Sequence, residues 1–371
     1  MEQLSSFIRP HIKSIPAYEP ILPFEVLSDQ LGRPLNQIIK LDANENPFGI
    51  SPSTRTALAN MDFPHIYPDP MSRSLRKVLS DFTGTPYENL LVGAGADELI
   101  DMVMRIFLNA GDRVITCPPT FGMYGFDTEL NDGNLVEVAR HPDFSLDVDG
   151  IRIAVEQLKP KLLFLASPNN PDGSMIPRDT LMELLYLPLM IVIDEAYIEF
   201  ADMENLLGKN VSMLQMVPKV ENLIVLRTFS KWAGLAGLRV GYGAFPTWLM
   251  PVLWKTKQPY NINIAASVAA VAAISDAHYL SEIVFRLREE RDRMIAGLNR
   301  ISYLRTFPST SNFVLCRVIG LPAEWIKKEL AERYGILVRY FNKPGLTDCI
   351  RISVGTPEQT DKLLQALQCL H

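Results

Sequence analysis

Three predominantly apolar segments constrain the fold of this chain most strongly, because each has the length of one buried strand and each ends in polar residues. They span residues 161–166, 189–193 and 223–226, and they are followed by the sequences SPNNPDG, DEAY and RTFSK. Short apolar runs bounded by turn residues are typical of strands buried on both faces of a parallel sheet. Open parallel sheets bind ligands at the carboxyl ends of their strands. We therefore predict an α/β fold in which these polar residues meet at one site.

Lys231 lies in the third polar segment, eight residues before Arg239. A lysine that packs among apolar neighbours near a second cation can be neutral, and its amine can then attack a carbonyl. Thr228, Ser230 and Arg239 supply hydroxyl and guanidinium donors that suit a phosphate. These residues suit a cofactor that has both an aldehyde and a phosphate. Pyridoxal 5'-phosphate (PLP) is such a cofactor. Taken alone, the motif is equally compatible with an exposed lysine in a glycine-rich loop.

A carboxylate and an aromatic side chain complete the expected cofactor site. PLP needs a carboxylate facing its pyridine nitrogen, which keeps the ring protonated and able to accept electrons. Asp194 follows the second apolar segment and is the candidate for this role. Phe121 follows a strand predicted at residues 113–116, and its ring can stack on the pyridine ring.

A glycine-containing turn precedes an amphipathic pattern that continues through Phe107. The helix is predicted to begin at Ala96 or Asp97, directly after Gly95. Free N–H groups at a helix N-terminus form a ready phosphate site. We therefore predict that Gly95, Ala96 and Asp97 bind the cofactor phosphate together with Arg239.

Composition excludes several classes of partner. With 371 residues, 47% of them hydrophobic, the chain can bury a large core and is long enough for two domains. A net charge of −6 does not favour nucleic acid or an anionic membrane. The four cysteines and five histidines are scattered, so we expect no disulfide framework and no metal site, and a cytoplasmic location. The N-terminus lacks a signal-peptide pattern, and the longest apolar segment is too short to span a bilayer.

The pattern of elements divides the chain into three parts. Residues 1–40 are rich in proline and are predicted to form an extended N-terminal arm with one short helix. Residues 41–262 are predicted to form the large PLP-binding domain. Residues 263–371, which alternate helix and strand patterns, are predicted to form a small α+β domain that the arm joins. Its last helix begins at Thr356 with a capping-box sequence.

The motifs, in this order and spacing, resemble the PLP-dependent aminotransferases of fold type I, the fold of aspartate aminotransferase. The residues that carry the resemblance are Asn169–Pro171 with Gly173, Asp194–Tyr197, Thr228–Lys231 and Arg239. The resemblance covers nearly the whole chain. It implies a large domain with a mostly parallel central sheet and a smaller α+β domain. It also implies that Lys231 binds the cofactor covalently and then moves a proton as general base and general acid.

Further roles follow from this resemblance. It implies that Asn170 and Tyr197 donate hydrogen bonds to the 3' oxygen of the cofactor. It implies that Tyr67 donates its hydroxyl to the PLP phosphate of a second subunit, and hence a homodimer with shared active sites. Arg351 lies in the family motif that binds the substrate carboxylate, so the resemblance assigns it that role.

The chain also resembles the histidinol-phosphate aminotransferase family within this group. The matching segments are Tyr18, the turn Asn44–Pro47, Tyr67 with its following proline, and Arg351–Thr356. This resemblance implies a ping-pong exchange of an amino group between L-histidinol phosphate and 2-oxoglutarate, which belongs to histidine biosynthesis. The substrate-binding residues that it implies are Tyr18, Asn46, Arg339 for the phosphate, and Arg351.

Two alternatives remain open from the sequence, and a third is disfavoured. An aromatic amino-acid aminotransferase could reuse the phosphate-binding positions for a carboxylate. A PLP-dependent L-threonine-O-3-phosphate decarboxylase has similar motifs, and the reaction then depends on which substrate bond stands perpendicular to the ring. A non-enzymatic PLP-binding regulator is disfavoured, because Lys231 and Arg351 are both present and no DNA-binding module is evident.

Overall fold

A computed structural model describes residues 2–16, 23–202, 204, 208 and 210–370. Within these segments the chain forms two β-sheets surrounded by helices. The strands are β1 Ile39–Leu41, β2 Leu90–Gly93, β3 Arg113–Thr116, β4 Asn134–Glu137, β5 Leu162–Ala166, β6 Met190–Asp194, β7 Leu223–Thr228, β8 Gly241–Ala244, β9 Leu304–Thr306, β10 Phe313–Val318, β11 Ile336–Tyr340 and β12 Cys349–Ser353.

Helices cover both sheets and fill the connections between strands. They are α1 Glu2–Ser5, α2 Pro10–Ser14, α3 Phe24–Leu31, α4 Pro52–Ala59, α5 Arg73–Thr83, α6 Ala96–Phe107, α7 Met123–Leu130, α8 Val148–Leu158, α9 Arg178–Leu184, α10 Met250–Thr256, α11 Ile264–Ser275, α12 Ala277–Leu298, α13 Ala323–Tyr334 and α14 Pro357–Gln368. The capping box predicted at Thr356 is present at the start of α14, with both reciprocal hydrogen bonds to Gln359.

The larger sheet has seven strands in the order β2-β8-β7-β6-β5-β3-β4. All neighbouring pairs are parallel except those that involve β8, which is antiparallel to both β2 and β7. Every residue of β5, β6 and β7 is buried, which is the reason for their continuous apolar sequences. The predicted parallel α/β sheet is therefore confirmed.

The smaller sheet has five strands in the order β1-β11-β12-β10-β9. Strand β1 comes from the N-terminal part of the chain and pairs in parallel with β11, Ile39 opposite Ile336. The other four strands come from the C-terminal part and pair antiparallel. The chain thus contributes to the small sheet both before and after it builds the large one.

The first forty residues are more helical than the sequence predicted. Helices α1, α2 and α3 all lie there, where we expected an extended arm with one short helix. Helix α2 begins with Pro10 at its first turn, a position where the missing N–H of proline costs nothing. His11 of this helix lies 3.3 Å from Asp132, so α2 contacts the region that follows α7.

No single helix in the described segments is long and apolar enough to cross a membrane. Helices α11 and α12 meet the criteria of length and composition only as a pair, and a bend of 80° separates them.

Candidate active site

The carboxyl ends of β5, β6 and β7 lie side by side, because Ala166 is paired with Asp194 and Asp194 with Leu226. The residues that follow these strands border an open cavity of about 650 Å³. Helix α6 reaches the same cavity with its N-terminus. The cavity is lined by Ala96, Asp97, Phe121, Ala166, Pro168, Asn170, Asp194, Ala196, Tyr197, Thr228, Ser230, Lys231, Ala236 and Arg239. Ten of the residues expected at the cofactor thus meet in one place.

Lys231 lies just after β7 and points its amine into this cavity. Its Nζ donates a hydrogen bond to the backbone oxygen of Ala43 at 3.2 Å and lies 5.9 Å from the ring centroid of Tyr197. The amine is therefore held by one backbone carbonyl and one aromatic face, with no carboxylate within 4 Å among the described residues. An aldehyde that enters the cavity can reach it.

Cationic and hydroxyl groups form one end of the cavity, beside the first turn of α6. Arg239 donates to Asp97 at 2.8 Å, and both side chains are about half exposed. Thr228 Oγ1 donates to Ser230 Oγ at 2.8 Å. Gly95 precedes the helix with φ of 83°, and a Cβ there would lie 2.6 Å from Arg239 Nη2. Glycine is therefore required for the guanidinium to approach the helix N-terminus, where N–H groups suit a phosphate.

Asp194 ends β6, lines the cavity and is 6% exposed. The hydroxyl of Tyr124 donates to its Oδ2 at 2.8 Å, and the backbone N–H of Ala196 donates to its Oδ1 at 3.0 Å. Burial raises the pKa of Asp194 to about 6, although both hydrogen bonds favour the ionised form. A carboxylate in this setting binds a protonated ring nitrogen well, because the added positive charge offsets its burial.

Arg351 occupies the middle of β12 and is 5% exposed. It donates to Asn170 Oδ1 at 2.6 Å and to the backbone oxygen of Asp42 at 2.7 Å. Its guanidinium carbon lies 5.3 Å and 5.5 Å from the ring centroids of Phe313 and Phe341. Since an arginine can only donate, the oxygen of Asn170 must face it, and the amide nitrogen of Asn170 is the group left to donate into the cavity.

Arg339 lies directly across from Arg351, on the neighbouring strand β11. It is partly buried, and its guanidinium carbon lies 5.7 Å from the ring centroid of Phe341. Among the described residues, no carboxylate lies within 4 Å of it. The two arginines therefore place two positive charges next to each other at the edge of the site.

Asn46 and Tyr67 are predicted site residues, but neither lines this cavity. Asn46 is buried, and its side chain bonds to the backbone of Trp232 and Phe48 at 3.0 Å each, so it stabilises the turn beside Lys231. Tyr67 is 78% exposed and stacks on Tyr260, with ring centroids 4.6 Å apart. Tyr18 lies outside the described residues.

Two residues with clear contacts to the site were not assigned a role from the sequence. Tyr124 stacks on Phe164, and its hydroxyl donates a hydrogen bond to Asp194. Asn44 belongs to the predicted turn Asn44–Pro47, and its side chain donates to the hydroxyl of Tyr197 at 3.0 Å. No local pattern in the sequence indicates either contact, because Asp194 and Tyr197 are distant in sequence from Tyr124 and Asn44.

The residues present fit PLP by their donor set. The cavity has an amine for the aldehyde, a buried carboxylate for the ring nitrogen and a cationic helix N-terminus for the phosphate. Phe121 borders it and is partly exposed, as a side chain that stacks on a ring must be. The missing side chain at Gly95 leaves room at the phosphate end.

Comparisons with known proteins agree with this geometry. The family model of class I and II aminotransferases matches residues 36–367. Histidinol-phosphate aminotransferase 1, chloroplastic, from Arabidopsis thaliana is 52% identical, and the match covers 98% of this chain and 85% of that protein. The histidinol-phosphate aminotransferase of Roseiflexus castenholzii is 49% identical, with 98% of both chains covered.

A solved structure is also similar over the full length. Histidinol-phosphate aminotransferase from Sinorhizobium meliloti, in complex with pyridoxal-5'-phosphate, superimposes with a TM-score of 0.89 and is 30% identical. The match covers 98% of this chain and 97% of that one. The predicted aminotransferase fold is therefore confirmed, and the chain belongs to the class I and II aminotransferase family.

Proposed function

We propose that this protein transfers an amino group between L-histidinol phosphate and 2-oxoglutarate, with PLP as cofactor, and so forms imidazole acetol phosphate and glutamate in histidine biosynthesis. One observation carries the proposal: Lys231, Asp194 and Arg239 line the same cavity, and Arg351 is bonded to Asn170 at its edge. The names of the relatives that are 49% and 52% identical support this choice of substrates.

PLP, when bound, supplies a protonated ring that accepts electrons from a substrate carbon. Lys231 Nζ would hold the cofactor through its aldehyde and, once the substrate amine displaces it, would take the proton from the substrate carbon and deliver it to the 4' carbon of the cofactor. Asp194 keeps the ring nitrogen protonated. Arg239, with Thr228, Ser230 and the N–H groups at Gly95–Asp97, holds the phosphate.

Asn170 and Tyr197 would donate hydrogen bonds to the 3' oxygen of the ring, and Phe121 would stack on the ring. Arg351 binds the carboxylate of 2-oxoglutarate and glutamate in a bidentate contact. Arg339, which has no described acidic partner, binds the phosphate of histidinol phosphate. Because one cavity serves both substrates, they occupy it in turn. Asn46 supports the turn beside Lys231, and Tyr18 is the remaining candidate contact to substrate.

We propose a homodimer in which Tyr67 serves the cavity of the second subunit. Its exposed ring and its position away from its own cavity support this arrangement. We propose that the arm 1–40, the large domain 41–262 and the small domain 263–371 are the units of each subunit. Four free cysteines, three of them buried, support a reducing compartment such as the cytoplasm.

The test is a half-reaction with purified protein in its PLP form. L-Histidinol phosphate, L-glutamate, L-phenylalanine and O-phospho-L-threonine are added separately, while cofactor absorbance and carbon dioxide are followed. Conversion by histidinol phosphate and by glutamate is the expected result. Preference for phenylalanine would indicate an aromatic aminotransferase, and release of carbon dioxide from O-phospho-L-threonine would indicate a decarboxylase.

A further inference from the structure

Asn44 is the buried centre of a hydrogen-bond network between the small sheet and the cavity. It is 1% exposed, and its φ of 55° is a left-handed conformation that asparagine tolerates better than most residues. Its backbone N–H donates to Ser353 Oγ at 2.8 Å, and its backbone oxygen accepts from Asn312 Nδ2 at 3.0 Å. These backbone contacts hold its side chain between Ser353 and Tyr197.

The direction of the network follows from the backbone N–H of Asn44, which can only donate. Ser353 Oγ accepts this bond and therefore gives its own proton to Asn44 Oδ1, 3.0 Å away. The amide nitrogen of Asn44 then faces the hydroxyl of Tyr197. The opposite amide orientation would direct two N–H donors at Ser353 Oγ and leave its proton without an acceptor among the described residues.

The network determines the hydrogen bonding of Tyr197, which lines the cavity. The phenolic oxygen of Tyr197 accepts a hydrogen bond from Asn44, so the hydroxyl proton of Tyr197 can be donated to a group other than Asn44. The ring is fixed by an edge-on contact with Phe313, with centroids 5.0 Å apart. Neither Asn44 nor Ser353 lines the cavity.

We propose that Asn44 and Ser353 are positioning residues that make Tyr197 a hydrogen-bond donor toward the bound cofactor. The inference rests on the proposed PLP site, in which Tyr197 faces the 3' oxygen of the ring. A donor at that oxygen stabilises its anionic form and lowers the pH at which the bound cofactor changes its visible absorbance. We call this pH the absorbance midpoint. Asn44 and Ser353 affect the absorbance midpoint through Tyr197.

The main test uses Asn44→Asp, which keeps the shape of the side chain but replaces its donor by an acceptor. Tyr197 must then give its proton to residue 44. The absorbance midpoint is measured for PLP bound to the wild type, Asn44→Asp, Tyr197→Phe and the double variant. The shift caused by Asn44→Asp is expected to be larger with the tyrosine present than without it, by about 0.5–1 pH unit, the equivalent of one hydrogen bond.

The variant with phenylalanine at position 197 is the matched control, because there Asn44→Asp changes only the charge. The other charged groups around the cavity are the same in all four proteins; they are Asp97, Asp194, Lys231, Arg239, Arg351 and Arg339. Equal shifts in the two backgrounds would overturn the proposal. A wild type that develops no visible absorbance with PLP would overturn the cofactor assignment, and this proposal with it.

Ser353→Ala provides a second test without any change of charge. It removes the hydroxyl that orients the amide of Asn44, so the midpoint is expected to rise, and to rise only when Tyr197 is present. Ser353→Thr keeps the hydroxyl and is expected to restore the wild-type midpoint. An unchanged midpoint in both Ser353→Ala and Asn44→Asp would refute the network.

Discussion

The hydroxyl of Tyr124 is expected to control the ionisation of Asp194, and the variant Tyr124→Phe removes only that hydroxyl. Tyr124 is fully buried and its hydroxyl donates to Asp194 at 2.8 Å. The bond stabilises the ionised carboxylate, whose pKa burial has already raised to about 6. A hydrogen bond to a charged group contributes about 1.5–3 kcal/mol, which corresponds to about 1–2 pH units. In the cofactor-free variant we therefore expect a pKa of about 7–8 for Asp194.

The assay is the dissociation constant of PLP as a function of pH. A neutral carboxyl cannot hold the proton on the ring nitrogen, so binding should weaken wherever the variant is protonated and the wild type is not. With pKa values of about 6 and 7.5, the ratio of the two constants should be about eightfold near pH 6.5 and fall to about one near pH 9. The difference in PLP binding between Tyr124→Phe and the wild type thus disappears as pH rises.

A control must also remove a buried phenolic hydroxyl, but one that makes no hydrogen bond to Asp194. Tyr242→Phe does so, since Tyr242 is 1% exposed and its hydroxyl bonds to Arg227. The ratio of the PLP dissociation constant of Tyr242→Phe to that of the wild type is expected to stay constant across the same pH range. A constant ratio for Tyr124→Phe as well would show that the hydroxyl affects only packing, and the reasoning would be wrong.

Four further predictions follow from the site and the core. Lys231→Ala is expected to abolish both turnover and the visible absorbance with PLP, and any remaining turnover would remove Lys231 as the catalytic residue. Arg339→Ala should weaken the phosphorylated substrate by about 1.5–3 kcal/mol, measured from kcat/KM, with a much smaller loss for glutamate. Tyr67→Phe should weaken PLP binding in the dimer, and a fully active monomer in sedimentation would contradict its role. Asp127 is 3% exposed and burial raises its pKa to about 7, so the wild type loses stability as pH rises from about 4 to 7. Asp127→Asn should therefore raise the melting temperature more at pH 8 than at pH 5; equal shifts at both pH values would argue against a charged Asp127 in the fold.

Elements with a strong local pattern were predictable from the sequence. Strand β3 spans the predicted residues 113–116, and α6 begins at Ala96, where the glycine-containing turn ends. Strand β8 was not predicted, because its sequence GYGA has no apolar run. It is a strand because β2 and β7 pair with it on both sides, which no local pattern can indicate.

Some residues of the site could likewise be predicted from the sequence, and others could not. The residues directly after β5, β6 and β7 could be predicted, since the geometry of a parallel sheet brings strand ends together. Tyr124 and Asn44 could not, because their partners are distant in sequence: Asp194 lies 70 residues from Tyr124, and Tyr197 lies 153 residues from Asn44. Their contribution also depends on the direction of a hydrogen bond, which residue type alone leaves undetermined.

Strand β1 makes the small sheet dependent on the N-terminal part of the chain. If the C-terminal part were synthesised or cut free as a separate fragment, β11 would become an edge strand. Its residues Ile336, Leu337 and Val338 are buried, and they would then present unpaired backbone groups beside an apolar surface. Such an edge pairs readily with other chains. Proteolysis between the two sheets should therefore yield a fragment that aggregates, and adding back a peptide of residues 36–44 should keep it in solution.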